Sequence, residues 1–234
     1  MLKKLSIIIP AFNEENTIKE VLQQLVNLDL VQNIEKEILV IDDFSSDSTA
    51  TVVRQFIESN TECNIKLKQQ VKNLGKGAAI QKGISLSSGE FLIPQDADLE
   101  LDPKDINKLL NKLLSEQLDV VYGSRFLEND TIVKNPAYYA NQFLTSFSNF
   151  FTRLDITDME TCYKLIRSDL AKKIELKEMR FGFEPEITAK LAKIKGVKFG
   201  EVPIKYIGRS YEEGKKIGWK DGLKAIYCIV KYAL

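Results

Sequence analysis

The sequence predicts an α/β protein with a mostly parallel central sheet and flanking helices. Two observations carry that prediction: short, unbroken apolar runs of strand length, and segments of helical apolar spacing lying between them. A third is the lack of any internal repeat, low-complexity tract or linker, which makes one compact unit over residues 1–234 the simplest organisation.

Leu5 to Ile9 opens the chain as an apolar run suited to a strand buried on both faces. Asn16 to Leu28 then carries apolar residues at helical spacing. Glu37 to Ile41 reads as the second strand, and Ser48 to Glu58 as a helix that Asp47 or Ser48 caps. The pattern repeats with strand Ile65 to Gln70, helix Lys76 to Leu86, strand Phe91 to Pro94, helix Pro103 to Gln117 and strand Asp119 to Tyr122. Beyond this point the alternation stops. Phe181 to Glu186 opens a helix to Lys195, with Pro185 suited to its first turn and Glu186 to the positive end of its dipole. After a polar, glycine-broken run, Trp219, Leu223, Ile226, Tyr227, Ile229 and Val230 share one side of a final helix. That stripe fits a membrane interface, and equally packing on the protein body or on a second copy in a homo-oligomer.

Composition removes several function classes. Lys plus Arg equals Asp plus Glu at 33 each, so no net field favours nucleic acid. Histidine is absent, which excludes Ser-His-Asp and Cys-His nucleophiles, histidine bases and histidine-ligated metals. The three cysteines, Cys63, Cys162 and Cys228, lie far apart with no C-x-x-C spacing, against a disulfide framework or zinc site. A reducing cytoplasm is the default compartment. No stretch reaches the roughly 18 apolar residues of a membrane span, so attachment to a membrane surface is the closest membrane contact expected.

Ligands of such sheets bind at the carboxyl ends of the strands. There Asp96-Ala97-Asp98 follows the strand Phe91 to Pro94, and two carboxylates two residues apart can face one side and hold a hard divalent cation. Asn13 and Glu14 follow the first strand, as helix caps or as ligand contacts. Asp42 and Asp43 end the second, suited to hydrogen bonding a base or ribose. Asn73-Leu74-Gly75-Lys76-Gly77 offers glycines for close approach of backbone N–H groups to a phosphate and a lysine for charge, although it is no Walker A loop.

These segments, in order and spacing, resemble the family 2 glycosyltransferases of the GT-A fold, and among them the polyprenyl-phosphate hexosyltransferases such as dolichyl-phosphate mannose or glucose synthases. The likeness runs from Ile7-Ile8-Ile9-Pro10-Ala11-Phe12-Asn13-Glu14 through Asp42-Asp43, the 73–77 loop and Asp96-Ala97-Asp98. It continues in Gly123-Ser124-Arg125, Asp158 to Lys164 and Glu201-Val202-Pro203-Ile204. It implies a nucleotide-sugar-binding half over 1–123, an acceptor half over 124–208 and a basic loop with an amphipathic helix over 209–234. Pro10, Ala11, Asn13, Glu14, Asp42, Asp43, Lys76 and Asp96 to Asp98 then form the donor site. Asp96 and Asp98, with Glu100 where relatives often carry a further polar ligand, hold Mg²⁺ or Mn²⁺. Ser124, Arg125, Arg209 and Lys215 grip the acceptor phosphate, and Asp98, Asp158, Arg125 and Arg209 are the catalytic candidates.

The expected reaction is metal-dependent, inverting transfer of a hexose from a nucleoside-diphosphate sugar, UDP- or GDP-linked, to a polyprenyl phosphate. The leaving diphosphate needs a cation, whereas an acceptor phosphate, with a second pKa of about 6, is already ionised and needs no base. Asp158 stands where relatives acting on hydroxyl groups keep a catalytic Asp; orienting an arginine or the sugar is its alternative role. A hydroxyl acceptor on a glycan, protein or small molecule is the rival reading. A non-catalytic membrane-peripheral binding module is the reading of another class.

Overall fold

Burial on both faces accounts for the run Ile7-Ile8-Ile9, each fully shielded. It lies in strand β1 (Lys4–Ala11), which pairs in parallel with β2 (Glu35–Asp42) on one side and β4 (Phe91–Pro94) on the other. The structure, a computed structural model, describes residues 3–128, 133–208 and 219–234. With β3 (Ile65–Gln69), β5 (Val120–Ser124), β6 (Lys164–Arg167) and β7 (Phe199–Pro203) these strands form one seven-stranded sheet in the order β3-β2-β1-β4-β6-β5-β7. Pro94, which has no N–H to give the ladder, ends the short β4.

The first four strands bear out the alternation read from the sequence. The sheet then departs from it, because β6 runs antiparallel to both β4 and β5, while β7 returns parallel to β5. Neither β6 nor β7 is expected from the sequence: they have four and five residues, and β7 contains Gly200 and Pro203.

Helices α1 (Ile18–Val26), α2 (Thr49–Ser59) and α4 (Ile106–Ser115) cover one face of the sheet through Leu22, Phe56 and Leu110. Helices α3 (Lys76–Leu86), α5 (Pro136–Thr152), α7 (Phe183–Ala192) and α8 (Trp219–Ala233) cover the other, through Ile80, Leu144, Ile187 and Ile229; the four-residue α6 (Ser168–Ala171) follows β6. Gly83 lets α3 lie directly on β1, since a Cβ there would stand 2.2 Å from Ile8 Cγ2. On α8 the buried face is Ala225, Cys228, Ile229 and Tyr232, so the expected stripe is displaced: Leu223 and Tyr227 of that stripe are exposed. No described helix is long and apolar enough to cross a membrane.

The strand directions gather one set of loops. The carboxyl ends of β1, β2, β3, β4, β5 and β7 and the amino end of the reversed β6 share one edge of the sheet. Around β1, where the strand order turns in opposite directions, lies the crevice expected of open α/β sheets.

Candidate active site

The loops after β1 and β2 are stitched to each other. Asn13 N–H donates to Ser45 Oγ (3.0 Å), Ser46 N–H to Asn13 Oδ1 (2.9 Å) and Glu14 N–H to Thr49 Oγ1 (2.8 Å). Asn13 holds φ +55°, a left-handed conformation that its short polar side chain tolerates. Pro10 and Ala11 end β1 beneath them. Asp42 is fully buried, with Oδ1 accepting from Ser45 Oγ (2.5 Å) and Oδ2 from Gln69 Nε2 (2.9 Å). Asp43 accepts from Gln70 Nε2 (2.7 Å) and from the backbone N–H groups of Leu74 (2.8 Å) and Gly75 (2.7 Å). The second acid therefore shapes the third loop.

That loop differs from the phosphate cradle its composition suggests. Gly75 takes φ +101°, and a Cβ on Gly77 would stand 2.4 Å from Glu178 O. Ala78 N–H donates to Met179 O (2.9 Å), so the start of α3 is covered by the 178–180 backbone. Both glycines are needed for this close approach. What the loop presents to the crevice is Lys76, whose Nζ lies 2.8 Å from Asp96 Oδ1 and 3.4 Å from Glu184 Oε1. Burial alone would lower its pKa, but Asp96, Cys162 and Glu184 outweigh that and hold the ammonium well above its ordinary range. Burial likewise opposes ionisation of Asp96, and Lys76 more than compensates, leaving the carboxyl below its usual value.

Asp96, Ala97 and Asp98 leave β4 at this edge, with Ala97 and Asp98 buried and Asp98 Oδ1 accepting Glu100 N–H (3.1 Å). Glu100, expected as a further ligand, directs its carboxylate to another partner. Among the described residues no group of three or more His, Cys, Asp and Glu side chains gathers as a metal cage, and the Glu100 carboxylate instead acts on the Tyr206 hydroxyl. Two carboxylates on one loop still fit Mg²⁺ or Mn²⁺, which take one or two protein oxygens and complete their shell with substrate phosphates and water.

On the other side of β6, buried Asp158 and half-buried Arg125 form a clamp. Arg125 Nε and Nη2 donate to Asp158 Oδ2 (2.7 Å) and Oδ1 (2.8 Å), and Arg125 N–H adds a third bond to Oδ2 (3.0 Å). Burial opposes the guanidinium charge, yet Asp158 raises the Arg125 pKa above its ordinary value. Glu201 of β7 holds the Asp158 loop in turn, accepting Thr157 N–H (2.7 Å) and Asp158 N–H (3.3 Å). Ser124 is buried, its Oγ 2.6 Å from Thr157 Oγ1 and accepting Phe126 and Leu127 N–H, so its hydroxyl shapes the turn that carries Arg125. The ring of Tyr206 lies 5.2 Å from the Arg125 guanidinium. Buried Lys164 donates to Met159 O (2.8 Å) and to Thr161 O, tying the other end of the same loop.

Arg209 and Lys215 lie outside the described residues. Arg167 pairs with Asp119 (2.8 Å) and Asp169 (3.1 Å) at the opposite edge of the sheet, away from the site. Tyr206, the link between Glu100 and Arg125, has no motif to announce it. Phe44 was equally silent in the sequence: it is more than half exposed at φ +65°, an unusual conformation for an aromatic residue.

Comparison with known proteins gives the same picture. The family described as Glycosyl transferase family 2 matches residues 6–175. A dolichyl-phosphate beta-glucosyltransferase of Dictyostelium discoideum is 31% identical over 86% of this chain and 66% of its own length. A dodecaprenyl-phosphate galacturonate synthase of Rhizobium johnstonii is 25% identical over 91% and 61%. The chain thus spans just under two thirds of the length of these relatives. Among solved structures, glucosyl-3-phosphoglycerate synthase from Mycobacterium tuberculosis, in complex with Mn²⁺, UDP and phosphoglyceric acid, superposes with a TM-score of 0.73 at 16% identity, over 99% of this chain and 78% of that one. The shared architecture is the GT-A fold, and by the extent of its family match the chain belongs to glycosyl transferase family 2.

Proposed function

We propose that the protein transfers a hexose from a nucleoside-diphosphate sugar to a polyprenyl phosphate, inverting the anomeric carbon by in-line displacement. The observation that carries this reading is the Arg125–Asp158 clamp. Both Asp158 oxygens accept from Arg125, so the carboxylate at the position expected of a base serves as the anchor of a cation. An acceptor phosphate asks for such a cation and needs no base; a hydroxyl acceptor asks for the reverse.

The other residues take roles that follow from their places. The 11–14 and 42–45 loops line the nucleotide side. Asp96 and Asp98 would hold Mg²⁺ or Mn²⁺, which when bound neutralises charge on the leaving diphosphate. Lys76 adds a positive charge on that side, and Arg125, steadied by Asp158 and Tyr206, meets the acceptor phosphate. The lipid side is supported by an apolar surface on α5 and α8, where Tyr139, Phe143, Phe150, Leu223 and Tyr227 are exposed on two helices that pack together. Aromatic residues on such a surface suit the boundary between headgroups and acyl chains, and we place the protein on the cytoplasmic face of a membrane.

The test is a donor panel of UDP-glucose, UDP-galactose, UDP-N-acetylglucosamine and GDP-mannose. Each is offered with Mg²⁺ or Mn²⁺ and a short polyprenyl phosphate, and lipid-linked sugar is scored by mass. A metal-dependent lipid product with one donor is expected. Nucleotide binding without any lipid product would move the acceptor to another class, and absence of nucleotide binding would sink the reading.

A further inference from the structure

Among the described residues four buried side-chain polar atoms lack a hydrogen-bond partner, the Ser148 and Ser168 hydroxyls and two carboxyl oxygens, and only the carboxyl oxygens lie near the candidate site. Glu160 Oε1 and Glu184 Oε2 are shut off from solvent and have no hydrogen-bond partner. An acceptor left in that state destabilises the fold, and such atoms in a native fold call for a partner that the chain alone does not supply. Glu184 as a whole is 4% exposed.

Their surroundings fix what that partner would be. Glu184 Oε1 lies 3.4 Å from Lys76 Nζ, which in turn touches the metal-side Asp96. Glu160 lies within electrostatic reach of Glu184, Lys164, Arg125 and Asp158. The two acids thus occupy the ground between the Asp96 loop on β4 and the Arg125 clamp on β5. If the diphosphate leaves on the first side and the acceptor enters on the second, the transferred sugar passes between them. Sugar hydroxyls are donors, the complement of an unfilled carboxylate oxygen.

We propose that Glu160 and Glu184 read the hydroxyl groups of the transferred sugar and confine the donor to neutral hexoses, excluding hexuronates. The inference rests on the glycosyltransferase reading and narrows it. A hexuronate brings a carboxylate into a site where Asp96 already engages Lys76, Asp158 engages Arg125 and backbone carbonyls engage Lys164, so it would face Glu160 and Glu184, and an ionised carboxylate has no hydrogen to give. The galacturonate named for the Rhizobium relative would be refused here. Burial, reinforced by Glu184, pushes Glu160 up to about 8, so it keeps its proton near neutrality. Discrimination should therefore widen as pH rises past that value.

The test is calorimetric binding to the full chain with Mg²⁺, using UDP and GDP as references. Matched donors follow: UDP-glucose against UDP-glucuronate, UDP-galactose against UDP-galacturonate and GDP-mannose against GDP-mannuronate. The neutral member of the pair that binds best should win by about tenfold or more, a size ordinary for a site that leaves buried polar groups unpaired by the wrong ligand. Glu184→Gln, and Glu160→Gln above pH 8 where the native carboxyl has lost its proton, each give the site an N–H donor in place of a carboxylate and should narrow that ratio severalfold. Equal binding of neutral and uronate donors to the unaltered protein overturns the proposal. So does a ratio unchanged in both variants, which would mean that the two acids satisfy each other. Failure of UDP and GDP themselves to bind would instead remove the glycosyltransferase reading beneath it.

Discussion

Two glutamates with shielded carboxyl oxygens meet opposite fates in this molecule. Glu37, on β2 at the edge of the sheet away from the site, accepts from Ser6 Oγ (2.7 Å), Lys66 Nζ (2.9 Å), Ser88 N–H (2.8 Å) and Ser88 Oγ (3.0 Å). Burial opposes its ionisation, yet these four bonds win and pull the pKa down to about 2. Glu160, in the loop before β6, has an oxygen with no partner, and burial with Glu184 pushes it up to about 8. The fold itself supplies every bond that Glu37 needs and leaves an oxygen of Glu160 unfilled, and that contrast separates what the fold needs from what a ligand would complete.

The largest effect expected falls on the seam between the two. Asp98→Ala should lower transfer to lipid phosphate on the order of a thousandfold, the scale of removing a principal electrostatic stabiliser of the transition state, with the melting temperature little changed. Retained turnover would break the assignment of the metal side. Asp158→Asn should act on the acceptor: a polyprenyl-phosphate KM raised by roughly tenfold or more with a much smaller change in kcat, read from initial rates against lipid concentration. A collapse of kcat at unchanged KM would give Asp158 the duty of a base and favour a hydroxyl acceptor.

Gly77→Ala tests the join of the 178–180 backbone to α3. With a Cβ 2.4 Å from Glu178 O, the variant should lose about 1–3 kcal/mol, the usual cost of overpacking, measured as a lower urea midpoint. The smallest effects are the pH dependences, and they have opposite signs. Glu37, depressed below its unfolded value of about 4.5, adds stability above that pH which is lost as pH falls toward 2. Glu160, raised above the same value, adds stability that is complete below pH 4.5 and lost as pH climbs through about 8. Difference melts of Glu37→Gln and Glu160→Gln against the unaltered protein, from pH 3 to 9, should therefore slope in opposite directions. Slopes of one sign would erase the contrast.

The same division governs what the sequence discloses. The strands β1, β2 and β4 are evident because each contains a local apolar run followed by a polar loop, β3 because Ile65 and Leu67 alternate with Lys66 and Lys68, and the Asp96-x-Asp98 pair because its spacing is short. By contrast α5 escapes notice: its aromatic, Ser, Thr and Asn residues are weak helix formers, and Tyr139, Phe143 and Phe150 place apolar side chains on its outer face. Its cues were Asn135, whose side chain caps Tyr138 N–H, and Pro136 in the first turn. The clamp of Asp158 on Arg125 joins residues 33 positions apart, and the role of Asp43 in ordering the Lys76 loop joins residues more than 30 apart. Pairings of that kind are set by the order of strands, which no local window contains.

The reversed strand β6 also acts as a ruler. The Asp98 loop leaves β4 and the Asp158 loop enters β6, and β4 and β6 are neighbours in the sheet. The gap between the two loops thus opens from one interstrand spacing, about 4.8 Å, which backbone pairing at Phe91–Arg167 and Leu92–Ile166 sets lower in the sheet. Redesign for a bulkier or smaller acceptor would start with the side chains at this opening, and Tyr206, beside Arg125, is the first to trim.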